Sequence, residues 1–372
     1  MICDKIRILE FADIHFCHRK TPTQLIIHNL NVLMPFDERM AKYDMIMIPG
    51  DVWDRLVSVP DPDVFLTKRW IVRLLTLCER YDITLLVVEG TPSHDRKQSK
   101  WFEELNVSHD IHADLHYVDT LSIVHFEKFG IDVLCVPDEW NHETDDTWQE
   151  VTQLLSQRGL DKVDFCAMHG AFSYQLPAHV PAPTHDMERY LGITRYLIFI
   201  GHIHRYSQYD RIFAAGSPDR LAHGEEEAKG ILDATVNRDG EYKVTFIENK
   251  GAMVYKTLVC DQETLGETYQ FLEKEITSQP EGSHIRLKAK DGHPILASMK
   301  EVITTYPGYH FTLAKEKEET VSQTTLEAVR QHYEPIEIHS GNIDRMMVER
   351  LTTMTQDPAV MERAKELIRE FI

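Results

Sequence analysis

Short apolar runs that each end in a cluster of Asp and His recur through the first two-thirds of the chain, and they constrain its fold more than any other feature. Ile6–Phe11 leads into Asp13-Ile14-His15, and Met45–Ile48 into Gly50-Asp51. Ile83–Val88 leads into Gly90-Thr91-Pro92-Ser93-His94-Asp95, Val163–Met168 into His169-Gly170, and Tyr196–Ile200 into Gly201-His202-Ile203-His204. Apolar runs this short read as buried strands. Between them, Thr23–Lys42, Asp63–Tyr81 and Thr144–Arg158 read as helices. In Asp63–Tyr81 the residues Phe65, Trp70, Ile71, Leu74, Leu75 and Cys78 repeat near the helical period. Leu121–Glu127 and Ile131–Val136 flank Gly130 and predict a hairpin. Strands alternating with helices predict an α/β layered domain. Open sheets of that class place their ligands at the C-terminal ends of the strands, where these clusters fall.

In Asp-x-His and His-x-His, an extended backbone sends both side chains to the same side, so each pair can reach one centre. Carboxylate and imidazole together suit borderline divalent metals such as Mn, Fe or Zn. His is abundant, at 20 of 372 residues. None of the six Cys residues forms a CxxC pair, which argues against a structural zinc and against a disulfide framework. The candidate ligands are too many for one ion and fit two, and paired metals about 3.5–4 Å apart are a device for in-line attack at phosphorus. The other histidines, among them His28, His142, His185 and His223, read as surface or interface residues.

Charge narrows the partners. Lys plus Arg is 40 and Asp plus Glu is 60, a formal net charge of −20. Such a chain repels phosphate backbones except at local basic or metal-bearing patches, which excludes a free-standing basic nucleic-acid module. The N-terminus has charges where a signal peptide needs an apolar core, and no apolar run approaches the ~18 residues of a membrane span. The expectation is a soluble protein of a reducing cytoplasm, with no membrane partner.

After Gly224 the texture changes. Gly230–Val236 and Tyr242–Ile247 read as an antiparallel pair around Asn237-Arg238-Asp239-Gly240. Tyr255–Cys260, Leu265–Ile276, His284–Lys288, Pro294–Thr305 and His310–Ala314 then read β-α-β-α-β, a small separate domain. Lys315–Gln323 is charged and polar, as in a linker. Asn342–Ile372 reads as helical, broken near Asp357-Pro358.

Asp13-x-His15, Gly50-Asp51-x-x-Asp54-Arg55, a degenerate Gly90…His94-Asp95, His169-Gly170 and Gly201-His202-x-His204 together resemble the signature of calcineurin-like metallophosphoesterases. More narrowly, the chain is similar to SbcD-type DNA repair nucleases, the catalytic partners of SbcC ATPases. Gly216-Ser217-Pro218, Arg220-Leu221 and Lys229-Gly230 resemble the segment that closes that domain. The resemblance implies a four-layer β-sandwich flanked by helices over residues 1–250. It further implies a capping domain over 251–315, a linker over 316–341 and a helical partner-binding element over 342–372.

It also implies a chemistry. Asp13, His15, Asp51 and His204 would hold one metal, and Asp51, His169 and His202 the other, with Asp51 bridging and Mn²⁺ as the natural ion. His94 would be the general acid and Asp54 would orient His94 or water. The partners would be DNA and an SbcC-type coiled-coil ATPase, with a homodimer inside a heterotetramer. The activity would be 3′-to-5′ exonuclease and single-strand endonuclease. Arg286, Lys288 and Lys290 alternate along one strand and offer a face to DNA, or a solvated sheet face. One departure stands out: the family carries an Asn ligand in Gly-Asn-His-Asp, and here Ser93 precedes His94 after a two-residue insertion. Two rivals remain, a metallophosphoesterase of nucleotides or phosphoproteins and a weakly active scaffold of an ATPase complex.

Overall fold

The computed structural model describes residues 4–58, 60–177, 180, 182–315 and 362–363. Of the linker and the helical element expected over 316–372, all but Glu362 and Arg363 lie outside the described residues. The strands are β1 (Lys5–Glu10), β2 (Met45–Pro49), β3 (Thr84–Val88), β4 (Leu115–Val118), β5 (Ser122–Phe126), β6 (Ile131–Val136), β7 (Phe165–His169), β8 (Ile198–Gly201), β9 (Ser207–Tyr209), β10 (Ile212–Ala214), β11 (Gly230–Asn237), β12 (Tyr242–Glu248), β13 (Tyr255–Cys260), β14 (His284–Ala289) and β15 (His310–Lys315). The helices are α1 (Thr23–Leu33), α2 (Pro62–Tyr81), α3 (Trp101–Ser108), α4 (Thr144–Arg158), α5 (Met187–Ile193), α6 (Leu265–Thr277) and α7 (Met299–Thr305).

Two six-stranded mixed sheets dominate, in the orders β12-β11-β1-β2-β3-β4 and β5-β6-β7-β8-β10-β9. Within them β1 to β4 run parallel, as do β6, β7, β8 and β10, so their C-terminal ends lie along common edges. The two-residue period of a strand explains the layering. Ile6 and Ile8, Met45 and Met47, and Leu86 and Val88 point into one core shared with Val133, Cys135, Phe165, Ala167 and Phe199 of the other sheet. The alternate residues Leu9, Ile46, Ile48, Leu85 and Val87 pack against Ile26 and Leu30 of α1, Trp70, Ile71 and Leu74 of α2, and Phe102 of α3. Leu134, Cys166, Met168, Ile198 and Ile200 pack against Val151 and Leu155 of α4 and Tyr190 and Leu191 of α5. The result is a helix–sheet–sheet–helix α/β arrangement. Strands covered on both faces are apolar throughout, which is why β2 and β3 are buried at every residue.

Residues 255–315 build a parallel three-stranded sheet, β13-β14-β15, around their own core of Leu258, Leu272, Ile276, Leu287 and Val302. A capping box, Thr264 with Glu267, starts α6. This sheet abuts the larger body through Thr21 Oγ1 and Tyr255 Oη at 3.0 Å. The described residues from Asp4 to Lys315 belong to one compact unit. Helix Thr23–Lys42 is corrected: α1 stops at Leu33, and Glu38–Lys42 is a separate 3-10 turn capped by Asp37. Pro35 lacks the N–H that a continuous helix needs. No helix among the described residues is long and apolar enough to cross a membrane, and Cys17, Cys78, Cys135, Cys166 and Cys260 are buried and unbridged.

Glu10, the last residue of β1, shares the inter-sheet face of Ile6 and Ile8 and is 0 % exposed, with neither carboxyl oxygen hydrogen-bonded. Burial, with Asp13 nearby, pushes its carboxyl well above the ordinary range, so it stays protonated when folded. The unfolded chain releases that proton near pH 4.5, so the cost to stability grows as pH rises above that value toward the raised folded one. Glu10→Leu is therefore expected to stabilise the protein by about 1–3 kcal/mol at pH 8 and by less at pH 4. Denaturant unfolding at the two pH values measures this, and a loss of stability at pH 8 would contradict a partnerless carboxyl.

Candidate metal centre

The loops that follow β1, β2, β3, β6, β7 and β8 converge, and they bring together Asp13 and His15, Asp51, Thr91 and His94, Asp138, His169, and His202 and His204. The local backbone differs from the extended geometry assumed from the sequence. Asp13, His15, Asp51 and His202 have φ of 51°, 53°, 50° and 109°. Residues other than glycine rarely occupy this region, and when they do it marks a functional or strained position. Two glycines permit the crowding. A Cβ on Gly50, whose φ is +87°, would lie 2.1 Å from His169 Nδ1, and one on Gly90 would lie 2.1 Å from Asp51 N.

Asp13, His15 and His204 form one group with all ligand atoms within 4.8 Å of one another; Asp51, His169 and His202 form another, and His15, Asp51 and His94 a third. Asp13 is fully buried; its Oδ1 accepts from His202 N at 2.8 Å, while Oδ2 has no partner. His204 Nδ1 faces Glu225 Oε1 at 2.9 Å, leaving Nε2 to meet His15 Nε2 at 3.0 Å. His169 Nδ1 faces the Pro49 carbonyl at 2.7 Å, leaving Nε2 3.3 Å from Asp51 Oδ2.

These contacts suit a metal ion. With Nδ1–H donated, neutral His204 and His169 present only lone pairs at Nε2. Acceptors held this close need a proton or a cation between them. Two imidazole nitrogens sharing one ion at about 2.1 Å and a right angle stand about 3 Å apart, the spacing of the His15–His204 pair. Burial opposes charge on His169, but the Asp51 carboxylate outweighs it and holds the imidazolium pKa well above the usual value. Burial likewise opposes ionisation of Asp51, and His169 and His15 overcome it, so this carboxyl sits well below the ordinary range. Divalent ions would take the place of the shared protons.

The loop after β3 departs most from expectation. Ser93 is exposed, at the tip of a turn in which the Thr91 carbonyl accepts from His94 N and Asp95 N, both at 2.9 Å. Thr91 is the residue that enters the centre, so the inserted pair is Pro92-Ser93 and lies beyond it. Thr91 N donates to Asp51 Oδ1 at 2.7 Å, and its Oγ1 lies 3.2 Å from Asp51 Oδ2. Asp95, fully buried, pins the loop by accepting from Gly90 N and Trp53 N, both at 3.0 Å. His94 Nδ1 meets the Asp54 backbone carbonyl at 2.5 Å. It is the Asp54 backbone that meets His94, while the Asp54 carboxylate lies 3.5 Å from His15 Nδ1 and 4.0 Å from His18 Nε2.

Glu225 and Lys229 were not foreseen as part of the site. Lys229 is fully buried, donates to the His204 carbonyl at 2.7 Å and pairs with Glu225 at 3.1 Å and Glu227 at 3.0 Å. Burial disfavours the Glu225 carboxylate, but His204 and Lys229 bring its pKa down to about 2. Groups that orient a ligating His this way are worth about 10–100-fold in metal affinity. Glu225→Gln is expected to weaken Mn²⁺ binding by that order in calorimetric titration, and unchanged affinity would deny Glu225 the orienting role. Asp138 was also missed, although it follows β6 as the other polar residues follow their strands.

No family model matches the chain, and no curated protein matches it. Among solved structures, TT1561 of Thermus thermophilus is similar with a TM-score of 0.37 and 9% identity, over 65% of this chain and 98% of that one. A second crystal structure has a TM-score of 0.36 and 9% identity, over 65% of this chain and 99% of that one.

Proposed function

We propose that the chain is a two-metal phosphodiesterase of the SbcD type that cuts DNA, working with an SbcC-type coiled-coil ATPase. The observation that carries the reading is that three Asp/His groups overlap, sharing Asp51 and His15. Ligands shared in this way would set two cation positions side by side, the arrangement used for in-line attack at phosphorus. Asp13, His15, Asp51 and His204 would hold one ion and Asp51, His169 and His202 the other, with Mn²⁺ suited to this mix of oxygen and nitrogen. Bound divalent ions supply Lewis-acid charge at the phosphoryl oxygens and an acidified water. Asp51 would contribute to both positions. His94, fixed through Nδ1, would give a proton from its other ring nitrogen to the leaving oxygen.

A cleft of about 550 Å³ opens beside the centre, lined by Asp138, Trp140, Asn141, His142 and His202 among others. That volume lies in the range that accepts a nucleotide-sized ligand, and an indole offers a base a stacking surface. In the capping segment, Arg286 is drawn onto Thr257 Oγ1 at 2.9 and 3.1 Å, within its own sheet. DNA grip is accordingly assigned chiefly to the metals and the partner ATPase, with 342–372 as the docking element. The same cleft favours a second reading, hydrolysis of free nucleotides.

The test is digestion by the full chain with Mn²⁺, using end-labelled DNA, plasmid and mononucleotides, with and without an SbcC-type ATPase. The expected result is Mn²⁺-dependent shortening from 3′ ends that EDTA abolishes. Phosphate release from nucleotides with intact DNA would favour the second reading. No hydrolysis of any substrate would leave a scaffold.

A further inference from the structure

We propose that Asp138, with Thr91 beside it, is a ligand of the second metal position, the one built on Asp51, His169 and His202. The inference deepens the metal-centre reading above and rests on it. The resemblance implies a neutral Asn at this position, and the chain has none in that loop. Two other oxygens stand there instead. Asp138 Oδ2 lies 3.0 Å from Thr91 Oγ1 and 3.6 Å from His202 Nδ1, and its side chain is only 10% exposed. Thr91 Oγ1 lies 3.2 Å from Asp51 Oδ2, 3.4 Å from His169 Nε2 and 3.4 Å from His202 Nδ1. Asp51 Oδ2 and His169 Nε2 are themselves 3.3 Å apart.

Five polar atoms from five loops are thus gathered at 3.0–3.6 Å along these contacts. A hydroxyl has one proton and cannot satisfy two carboxylates and two imidazole nitrogens at once. Donors spaced this way suit one ion bound at about 2.1 Å. Asp138 adds a full negative charge where an amide would add none. The second position then has two carboxylates and two imidazoles, a harder donor set that favours Mn²⁺ or Fe²⁺ over softer ions. The loss of the Asn is offset from a different strand end, β6 rather than β3.

The experiment is Mn²⁺ titration of the full chain by calorimetry and by low-temperature electron paramagnetic resonance, which detects coupling between paired Mn²⁺ ions. Wild-type protein is expected to take up two equivalents with a coupled signal. Asp138→Ala is expected to bind one equivalent tightly, the second weakened on the order of 100-fold, and to lose the coupled signal. Asp138→Asn, close in shape and able to accept from Thr91, is expected to fold normally and bind the second ion at least 10-fold more weakly. If Asp138→Asn matches wild type, the charged, harder donor set is overturned, because an amide oxygen at that place then serves as well. If Asp138→Ala keeps both equivalents at wild-type affinity, the ligand assignment is overturned outright. A wild-type protein that binds no Mn²⁺ would overturn the metal centre and this assignment together.

Discussion

Asp51→Asn is expected to leave a folded protein that no longer assembles a metal pair. Asp51 belongs to two of the three ligand groups and touches His15, His169 and Thr91, at 3.7, 3.3 and 2.7 Å. Among the described residues no other carboxylate belongs to two of these groups, so Asn in its place leaves neither position with a shared charge. An amide in the same place keeps the shape and can accept from Thr91 N, which limits damage to the fold. It removes the negative charge that His169 and His15 both face. Metal ions contribute several kcal/mol of transition-state stabilisation, so phosphodiester turnover should fall by about 10³-fold or more. Calorimetry and a DNA digestion assay measure the two effects. Near-normal turnover with one Mn²⁺ per chain would sink the shared-ligand arrangement, because one ion would then suffice.

Much of this layout was legible in the sequence because strand ends and helix faces obey short-range rules. Helix α4 is predicted to its terminal residues, since Thr144–Arg158 carries its own apolar stripe and ends at Gly159, which takes a left-handed C-cap. The β-α-β-α-β order of residues 255–315 was legible for the same reason. Short elements were not: α3, with eight residues, and β4, with four, depend on packing against their neighbours rather than on their own pattern. The Asp/His cluster was legible wherever a motif places its members close together in sequence. It was not where the contact is made in space: Asp138 and Glu225 reach the centre from separate loops, and Lys229 supports it from under the His204 carbonyl. Spacing counted back from His94 puts Ser93 where the family carries Asn, whereas the turn is closed at Thr91, which leaves Ser93 outside. The left-handed backbone at Asp13 and His15 has no sequence signal, because tertiary contacts impose it.

His94→Gln is expected to cut DNA hydrolysis by about 10²–10⁴-fold, the usual worth of a positioned general acid, while both Mn²⁺ ions remain bound. The geometry gives His94 two identities to separate. Its Nδ1 rests on the Asp54 carbonyl, its ring lies edge-on to His15 with centroids 5.0 Å apart, and it also forms a potential metal group with His15 and Asp51. A proton donor and a metal ligand would both lose activity on substitution, so activity alone decides nothing. The leaving group does. A DNA 3′-oxygen is a poor leaving group and needs the proton, whereas nitrophenolate leaves without one. With bis(p-nitrophenyl) phosphate, the loss in His94→Gln should therefore shrink to within about tenfold if His94 is the acid. If the loss is equal on both substrates and Mn²⁺ uptake falls with it, His94 is a ligand of the first ion, and the proton must come from elsewhere in the cleft.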